Sequence, residues 1–182
     1  MRWERLFADL EAVLAAEAAR ELDTEVADRI RRERALLGLR ERLAAQPPDA
    51  PVTVRVAGVG QFDAQVSDVG ADWVLLVRRA ERRLLVGFPA LRQVSGLVGR
   101  VTPQSIVAKA FGIGAALRAV SRDRAAVTVY DVDGGFVTGT IDGVGQDCLD
   151  IAEHPLDLPR RPEHVIDVRV VPFGALAAVQ RE

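Results

Sequence analysis

Arginines are the residues of this chain best suited to binding chemistry, and four of them lie in the short run Arg78-Arg79-Ala80-Glu81-Arg82-Arg83. The run lies between two apolar, strand-like segments, so it is predicted to be a loop. Guanidinium groups in such a loop can bind phosphate. A charge run of this kind is more often a solvated hairpin loop. Both interpretations remain open from the sequence alone.

Motifs of common enzymes are absent from the sequence, which lacks a glycine-rich loop ending in Gly-Lys, a Gly-x-Ser-x-Gly turn and a His-Glu-x-x-His helix. His154 and His164 each follow a glutamate, which would allow a surface zinc site, but the segment Pro155 to Pro162 is more typical of an exposed loop. The single cysteine, Cys148, excludes a disulfide within the chain and indicates a reducing compartment. We therefore expect a cytoplasmic, non-enzymatic protein without a cofactor or a metal.

Length and charge narrow the classes of partner. The chain has 182 residues and a net charge of −2, which argues against double-stranded DNA because a DNA-binding protein usually presents a basic face. The longest stretch without a charge, Val170 to Gln180, is shorter than the roughly 18 to 20 residues that cross a bilayer. No secretory signal is visible at the N-terminus. We expect no membrane partner and no export.

Residues 3–45 have the composition of a helix, with no proline, one glycine and many Ala, Leu, Glu and Arg residues. Apolar residues recur every three, four or seven positions, which predicts one stripe along a helix about 60 Å long. The stripe is either a self-associating coiled coil or the inner face of a helix pair that folds back near Asp23-Thr24. Gln46-Pro47-Pro48 ends the helical region.

The remaining sequence contains an internal repeat. Residues 52–72 match residues 127–147 without a gap at an offset of 75, and the match resumes with Phe88, Ala90, Leu91 and Val94 at an offset of 85. The second copy therefore carries ten additional residues. Each copy shows the period-2 alternation of short strands, which predicts strands at 52–58, 61–69, 72–78, 83–88 and 90–95, and at 127–133, 136–144, 147–152, 164–171 and 174–179.

Five strands in about fifty residues favour a small closed barrel, because closure removes exposed strand edges. Between the copies, Thr102-Pro103 begins a predicted helix that runs to about Ser121. The predicted fold class is α+β: a long N-terminal helical segment (1–46), a first five-stranded barrel (51–97), and a connecting helix with a second barrel (102–182).

The segment Leu117–Gly134 resembles the junction of helix and first strand in the bacterial Sm-like RNA chaperones of the Hfq family, and Gly139-Thr140-Ile141-Asp142 is similar to their second strand. The first copy is similar but matches less well, and other SH3-like small barrels share much of the pattern. As a whole, the chain also resembles proteins of high-GC actinobacteria, which implies no function. The Sm-like resemblance implies two Sm-like barrels in tandem.

The resemblance also implies residues for single-stranded RNA. Tyr130 matches the family's base-stacking aromatic residue, Gln146 its polar turn residue, and Arg122 and Arg124 its basic residues at the helix. The family's basic pair before the last strand is missing, because Phe173-Gly174 and Phe88-Pro89 occupy those positions. Tyr130 is more often explained as a strand aromatic at a protein interface.

These observations favour a non-enzymatic binding or assembly module that acts through protein contacts, with a homo-oligomer or another protein as partner. The alternative is an RNA-binding protein of weak affinity for single strands. The candidate surface for RNA or a protein partner consists of Arg78, Arg79, Arg82, Arg83, Arg122, Arg124, Tyr130 and Gln146.

Overall fold

A computed structural model describes residues 20, 22, 25–28, 31, 37–98 and 111–181. The chain divides into Met1–Gly38 and a larger compact unit, Leu39–Glu182. The first half of the larger unit contains α1 (Leu39–Ala44), β1 (Pro51–Val56), β2 (Gly60–Val69), β3 (Trp73–Val77), β4 (Arg83–Gly87) and β5 (Leu91–Ser95). The second half contains α2 (Ile113–Arg122), β6 (Ala126–Asp131), β7 (Phe136–Val144), β8 (Cys148–Glu153), β9 (Asp167–Pro172) and β10 (Leu176–Arg181).

The ten strands form one continuous antiparallel sheet in the order β5-β1-β2-β3-β4-β10-β6-β7-β8-β9. The prediction of two separate five-stranded barrels is therefore wrong, although each predicted strand is found within three residues of its position. The physical reason lies at β4, which pairs with β10 of the other half, with Leu85 opposite Val179. Within each half, the fourth strand does not pair with the fifth strand, so neither half closes into a barrel.

The two halves share their pairing register. Val54 lies opposite Phe62 and Val94, and Val129, 75 residues later, lies opposite Val137 and Val179. Irregularities recur at matching places, between Val66 and Asp68 in β2 and between Ile141 and Gly143 in β7. The repeat in the sequence is thus a repeat of strand order and register.

Hydrogen bonds around the β2–β3 and β7–β8 turns also repeat. The Gly70 amide donates to the Trp73 carbonyl and the Gly145 amide donates to the Cys148 carbonyl, each at 2.9 Å. A helix arginine then caps each turn, since Arg40 donates to the Gly70 carbonyl and Arg118 donates to the Gly145 carbonyl, both at 3.0 Å. A helix before each set of strands therefore holds the same turn in both halves.

Two apolar cores lie in the sheet, and each contains residues from both halves. The first core consists mainly of β1–β4 and Leu43, with Ala177 and Ala178 of β10 added. The second consists of α2, β6–β8 and β10, with Trp73 and Leu85 added from the first half. The β4–β10 junction therefore contributes residues to both cores. Burial of such apolar side chains is the main driving force of folding.

The first half also positions α2. The Asp72 carboxylate accepts a hydrogen bond of 2.7 Å from the Ile113 amide, the first residue of the helix. The Trp73 indole nitrogen donates to the Phe111 carbonyl at 2.9 Å. Phe111 and Gly112 are not helical, so the prediction of one helix running from Thr102 to about Ser121 is wrong at these residues, and α2 begins at Ile113. Residues 99–110, with the predicted start at Thr102-Pro103, lie outside the described part of the chain.

The prediction of one long helix from Trp3 to Ala45 is wrong. Leu37 and Gly38 are not helical, and the helix that follows them, α1, has six residues. Gly38 carries the largest backbone entropy loss in a helix, consistent with an interruption there. A coiled coil is not supported, and most residues of its predicted stripe, with the fold-back at Asp23-Thr24, lie outside the described residues.

We predict that Leu85→Ala lowers the free energy of unfolding by about 2–4 kcal/mol, because it leaves a cavity where the first half completes the second core. Urea denaturation followed by circular dichroism measures the change. Val170→Ala, at the equivalent and exposed position of β9, is the matched control and should change it by less than about 1 kcal/mol. Equal losses for the two variants would contradict this account of the junction.

Candidate functional site

The strand at one end of the sheet, β9, carries an exposed apolar surface. Val168 and Val170 are 57% and 61% exposed, and Ile166, just before the strand, is 71% exposed. Within the described residues, β9 pairs with β8 on one side and with no strand on the other. We call Ile166, Val168 and Val170 with the unpaired side of β9 the β9 edge.

In the internal repeat, β9 is equivalent to β4. The β9 edge is therefore equivalent to the side of β4 that pairs with β10. Leu85 corresponds to Val170 and Trp73 corresponds to Cys148. Leu85 and Trp73 are buried in the second core. Their counterparts are exposed or half-buried, because within the described chain the last half has no further half beside it.

Cys148 lies beside this edge, opposite Pro172 of β9. Partial burial, the negative charges of Asp147 and Asp150, and a hydrogen bond with Asp147 all raise the pKa of its thiol. A protonated thiol is a poor nucleophile and a poor metal ligand. Among the described residues, no cluster of three histidine, cysteine or acidic side chains could hold a metal ion.

The strand at the other end, β5, has a more polar surface. Leu91 and Val94 are half-buried, whereas Arg92 and Gln93 are exposed. A shallow depression of about 180 Å³, its open mouth included, lies beside β5 and is lined by Thr53, Val54, Arg55, Gln61, Gln93 and Ser95. The space that it encloses is about 30 Å³, far below the roughly 300–1,000 Å³ of typical small-molecule pockets.

The structure brings several of the predicted site arginines together. β4, β10 and β6 lie side by side, with Arg83 opposite Arg181 and Arg181 opposite Val127. Adjacent strands are about 5 Å apart, so the loop before β4 and the turn before β6 lie at one end of these strands. We call the exposed residues of this region, Arg82, Arg83, Arg122, Arg124 and Arg181, the arginine end.

Acidic residues offset part of this charge. Arg181 forms an ion pair of 2.6 Å with Asp123, and Arg124 lies 3.6 Å from Asp142. Arg160 binds the same Asp142 carboxylate through two hydrogen bonds, which raise the pKa of its guanidinium. These bonds hold the additional loop of the second half against β7.

The other predicted site residues are more scattered. Arg79 is exposed in the same loop as Arg82, but Arg78 lies 4.2 Å above the ring of Phe62 in a cation–π contact. Gln146 is exposed in the β7–β8 turn. The structure therefore places the arginines of the predicted surface in different environments.

Tyr130 lies at the far end of β6. It is half-buried, packs against the first core and has its ring centre 6.3 Å from that of Phe136. Arg124 lies in the turn before β6, so the strand from Ala126 to Tyr130, about 13 Å long, lies between the two residues. Arg124 and Tyr130 therefore do not form one compact base-binding site.

His154 has a structural role. It is 1% exposed, its Nδ1 is 2.8 Å from the Pro155 carbonyl, and its Nε2 is 2.9 Å from the Thr140 hydroxyl. Both ring nitrogens are thus engaged within the protein. His164 is half-buried, and its Nδ1 is 2.8 Å from the Pro159 carbonyl.

The comparisons with protein-family models, curated proteins and solved structures found no match. The resemblance to Sm-like proteins stays a prediction. In the described part of the chain, no helix is long and apolar enough to span a bilayer.

Sequence reasoning did not identify the β9 edge. The signal was present, because Val168 and Val170 alternate with Arg169 and align with Arg83 and Leu85 of β4. Nothing in that alignment states which of the two strands has a neighbour.

Cys148 reacts with iodoacetamide as the thiolate. We predict that the pH at which its rate is half-maximal is higher in the folded chain than in the urea-unfolded chain, because the folded structure raises its thiol pKa. Mass spectrometry between pH 7 and 10 measures the rate. Asp147→Asn removes a negative charge that disfavours the thiolate, so it should lower that pH. Asp157→Asn, in the exposed loop, is the control, and a folded midpoint at or below the unfolded one would contradict the prediction.

Proposed function

We propose that the chain is a non-enzymatic assembly module that binds a protein strand along the β9 edge. The observation that carries this proposal is the exposure of Val168 and Val170 on a strand whose outer side has no partner among the described residues. Proteins usually protect such edges with charges, proline or a covering element. β9 has exposed Asp167 and Arg169 and ends in Pro172, yet Ile166, Val168 and Val170 stay exposed beside them. An apolar edge strand is typical of sites that extend a sheet with a partner's strand.

The energetics favour such a contact. An added strand would pair with outward-facing N–H and C=O groups of β9 and cover both valines. One of these groups, the Val168 amide, donates to the Asp167 carboxylate at 2.8 Å, and a partner would have to replace that hydrogen bond. Full burial of a valine side chain contributes about 1.5–3 kcal/mol, and rather more than half of each side chain is available. Specificity would come from the alternate side chains that line the edge.

The chemistry of the titratable residues also supports binding over catalysis. The raised pKa of Cys148 keeps its thiol protonated, and His154 is occupied by Thr140 and Pro155. A nucleophile in an enzyme needs an adjacent base or a lowered pKa. The single cysteine is typical of the reducing cytoplasm, where we propose that the protein acts.

The test is affinity purification of the tagged full-length chain, at native level, from the cells that produce it. We expect a protein to co-purify in near-stoichiometric amount, with or without ribonuclease. Val168→Lys with Val170→Lys should reduce its recovery at least tenfold, because two charges on the apolar face oppose strand addition.

Phe136→Lys is the control for this experiment, since Phe136 is 69% exposed on the β6–β7 hairpin. This variant should retain the partner. Equal recovery with the β9 variant would refute the proposed site, and recovery of RNA without protein would favour the second candidate function.

The second candidate function is weak binding of single-stranded RNA at the arginine end. Five exposed arginines at one end of β4, β10 and β6 favour it. One of them, Arg124, adopts a left-handed backbone conformation (φ +49°), in which glycine is the usual residue. Asp123 and Asp142 reduce the local charge, so the affinity would be low and strongly dependent on salt.

We predict little RNA binding at about 150 mM salt and clear binding at about 20 mM salt, measured by fluorescence anisotropy with short A-rich and U-rich RNAs. Arg83→Ala with Arg124→Ala should abolish the low-salt binding. Arg92→Ala, an exposed arginine of β5, is the control. Submicromolar affinity at 150 mM salt that is lost in the double variant would make RNA the main ligand.

A further inference from the structure

The tip of the β6–β7 hairpin contains an Asp-Gly pair. Asp133 and Gly134 lie between β6, which ends at Asp131, and β7, which begins at Phe136, and both are exposed. The Asp131 carboxylate holds the backbone of the tip, because it accepts hydrogen bonds from the Asp133 amide at 2.8 Å and from the Gly135 amide at 2.9 Å. Asp133 contributes its backbone amide to these bonds and not its side chain.

An aspartate followed by glycine can react with its own main chain. The glycine nitrogen attacks the side-chain carboxyl carbon, a nitrogen–carbon bond forms, and the carboxyl hydroxyl leaves with the amide proton as water. The product is a five-membered succinimide ring. Water then adds to one of the two ring carbonyls and breaks its bond to the nitrogen. Addition at the side-chain carbonyl restores aspartate, whereas addition at the main-chain carbonyl gives isoaspartate, so one water leaves and one returns.

A second Asp-Gly pair in the same chain provides an internal comparison. The sequence contains no asparagine and two such pairs, the other being Asp142-Gly143. Asp142 is half-buried within β7, and Arg160 donates one hydrogen bond to each of its carboxyl oxygens. Neither oxygen can leave as water while these bonds persist. Gly143 is fixed in the sheet opposite Asp150 of β8, which restrains the attacking nitrogen.

The reacting groups at the hairpin tip are less restrained. Among the described residues, none forms an ion pair with the exposed Asp133 carboxylate. The Gly134 amide donates to the Asp131 carbonyl at 3.4 Å, which is longer than the usual 2.7–3.2 Å. Exposed turns also open locally at little cost in free energy, whereas a strand inside a sheet opens only with a larger part of the fold.

We propose that Asp133 is a site of spontaneous isomerisation to isoaspartate in the folded chain, and that Asp142 is protected by its place in β7. Isoaspartate carries a free α-carboxylate, the group that isoaspartate methyltransferases esterify. Aged copies of the chain therefore become substrates for that class of enzyme. This modification is separate from the β9 edge and from strand binding there.

The modified tip would fit its neighbour less well. A Cβ on Gly58 would lie 1.9 Å from the Asp131 carbonyl oxygen, so the β1–β2 hairpin packs directly against the tip. Isoaspartate lengthens the main chain at Asp133 by one carbon atom. The longer turn is displaced and weakens this contact between the two halves.

Ageing of the purified full-length chain at about 37 °C and neutral pH for several weeks tests the site. Mass spectrometry with electron-transfer dissociation distinguishes isoaspartate from aspartate in each peptide. We expect isoaspartate to accumulate at least tenfold faster at Asp133 than at Asp142. Equal rates in the folded chain, or no detectable isoaspartate at Asp133, would overturn the proposal.

The unfolded chain and one variant show whether the fold causes this difference. In concentrated guanidinium chloride, the two sites should react at rates within about threefold of each other, because both are Asp-Gly pairs in an unrestrained chain. In the folded Arg160→Ala variant, the rate at Asp142 should rise at least threefold and the rate at Asp133 should not change. A tenfold difference that persists in the unfolded chain would contradict protection by β7.

An isoaspartate methyltransferase with radiolabelled S-adenosylmethionine gives an independent measurement. Asp133→Glu is the matched variant, because glutamate keeps the charge and cannot form the five-membered ring. The enzyme should transfer at least fivefold fewer methyl groups to this variant than to the wild-type chain after equal ageing. Equal labelling would place the isoaspartate elsewhere and overturn the proposal.

The aged wild-type sample also tests the effect on the fold. The fraction that contains isoaspartate at position 133, separated by ion-exchange chromatography, should unfold at a lower urea concentration than the unmodified fraction. Equal midpoints of unfolding would contradict a weakened contact with the β1–β2 hairpin.

Discussion

The pairing of β4 with β10 is the interaction on which the rest of the structure depends. It joins two repeated halves into one sheet, and it gives Trp73 and Leu85 to the second core and Ala177 and Ala178 to the first. An exposed backbone edge would otherwise remain on each half. Because backbone hydrogen bonds and apolar burial act together here, the halves are parts of one fold.

The same junction explains where the candidate surfaces lie. Pairing one fourth strand with one last strand leaves one strand of each kind at the ends of the sheet, which creates the β9 edge and the β5 edge. It also brings the loop before β4, the turn before β6 and the end of β10 together, and this assembles the arginine end from three separate segments of the chain. Both surfaces follow from the order of strands.

The contrast between the two surfaces argues for protein contacts. The β9 edge is apolar and lacks a neighbour in the described chain, so covering it would gain free energy. At the arginine end, Asp123 and Asp142 already bind two of the basic groups nearby. An RNA would have to compete with ion pairs that the protein already contains.

The sequence by itself determined the ten strands and the repeat, because alternation of apolar and polar residues is a local pattern that every half-buried strand must show. The sequence did not determine whether each half closes into a barrel or pairs with the other half. Leu85 and Val170 occupy equivalent positions with similar neighbours in the sequence, yet one is 5% and the other 61% exposed.

The arrangement of the halves was decided only by the tertiary structure, since β4 has β10 beside it and β9 has no such strand among the described residues. Tyr130 illustrates the same limit: its type suggested base stacking, but its place on β6 packs it against the core of the other half. The helical composition of residues 3–45 was likewise insufficient for one long helix, because the chain leaves helical geometry at Leu37 and Gly38. Burial depends on which elements meet in space, and a local sequence pattern does not contain that information.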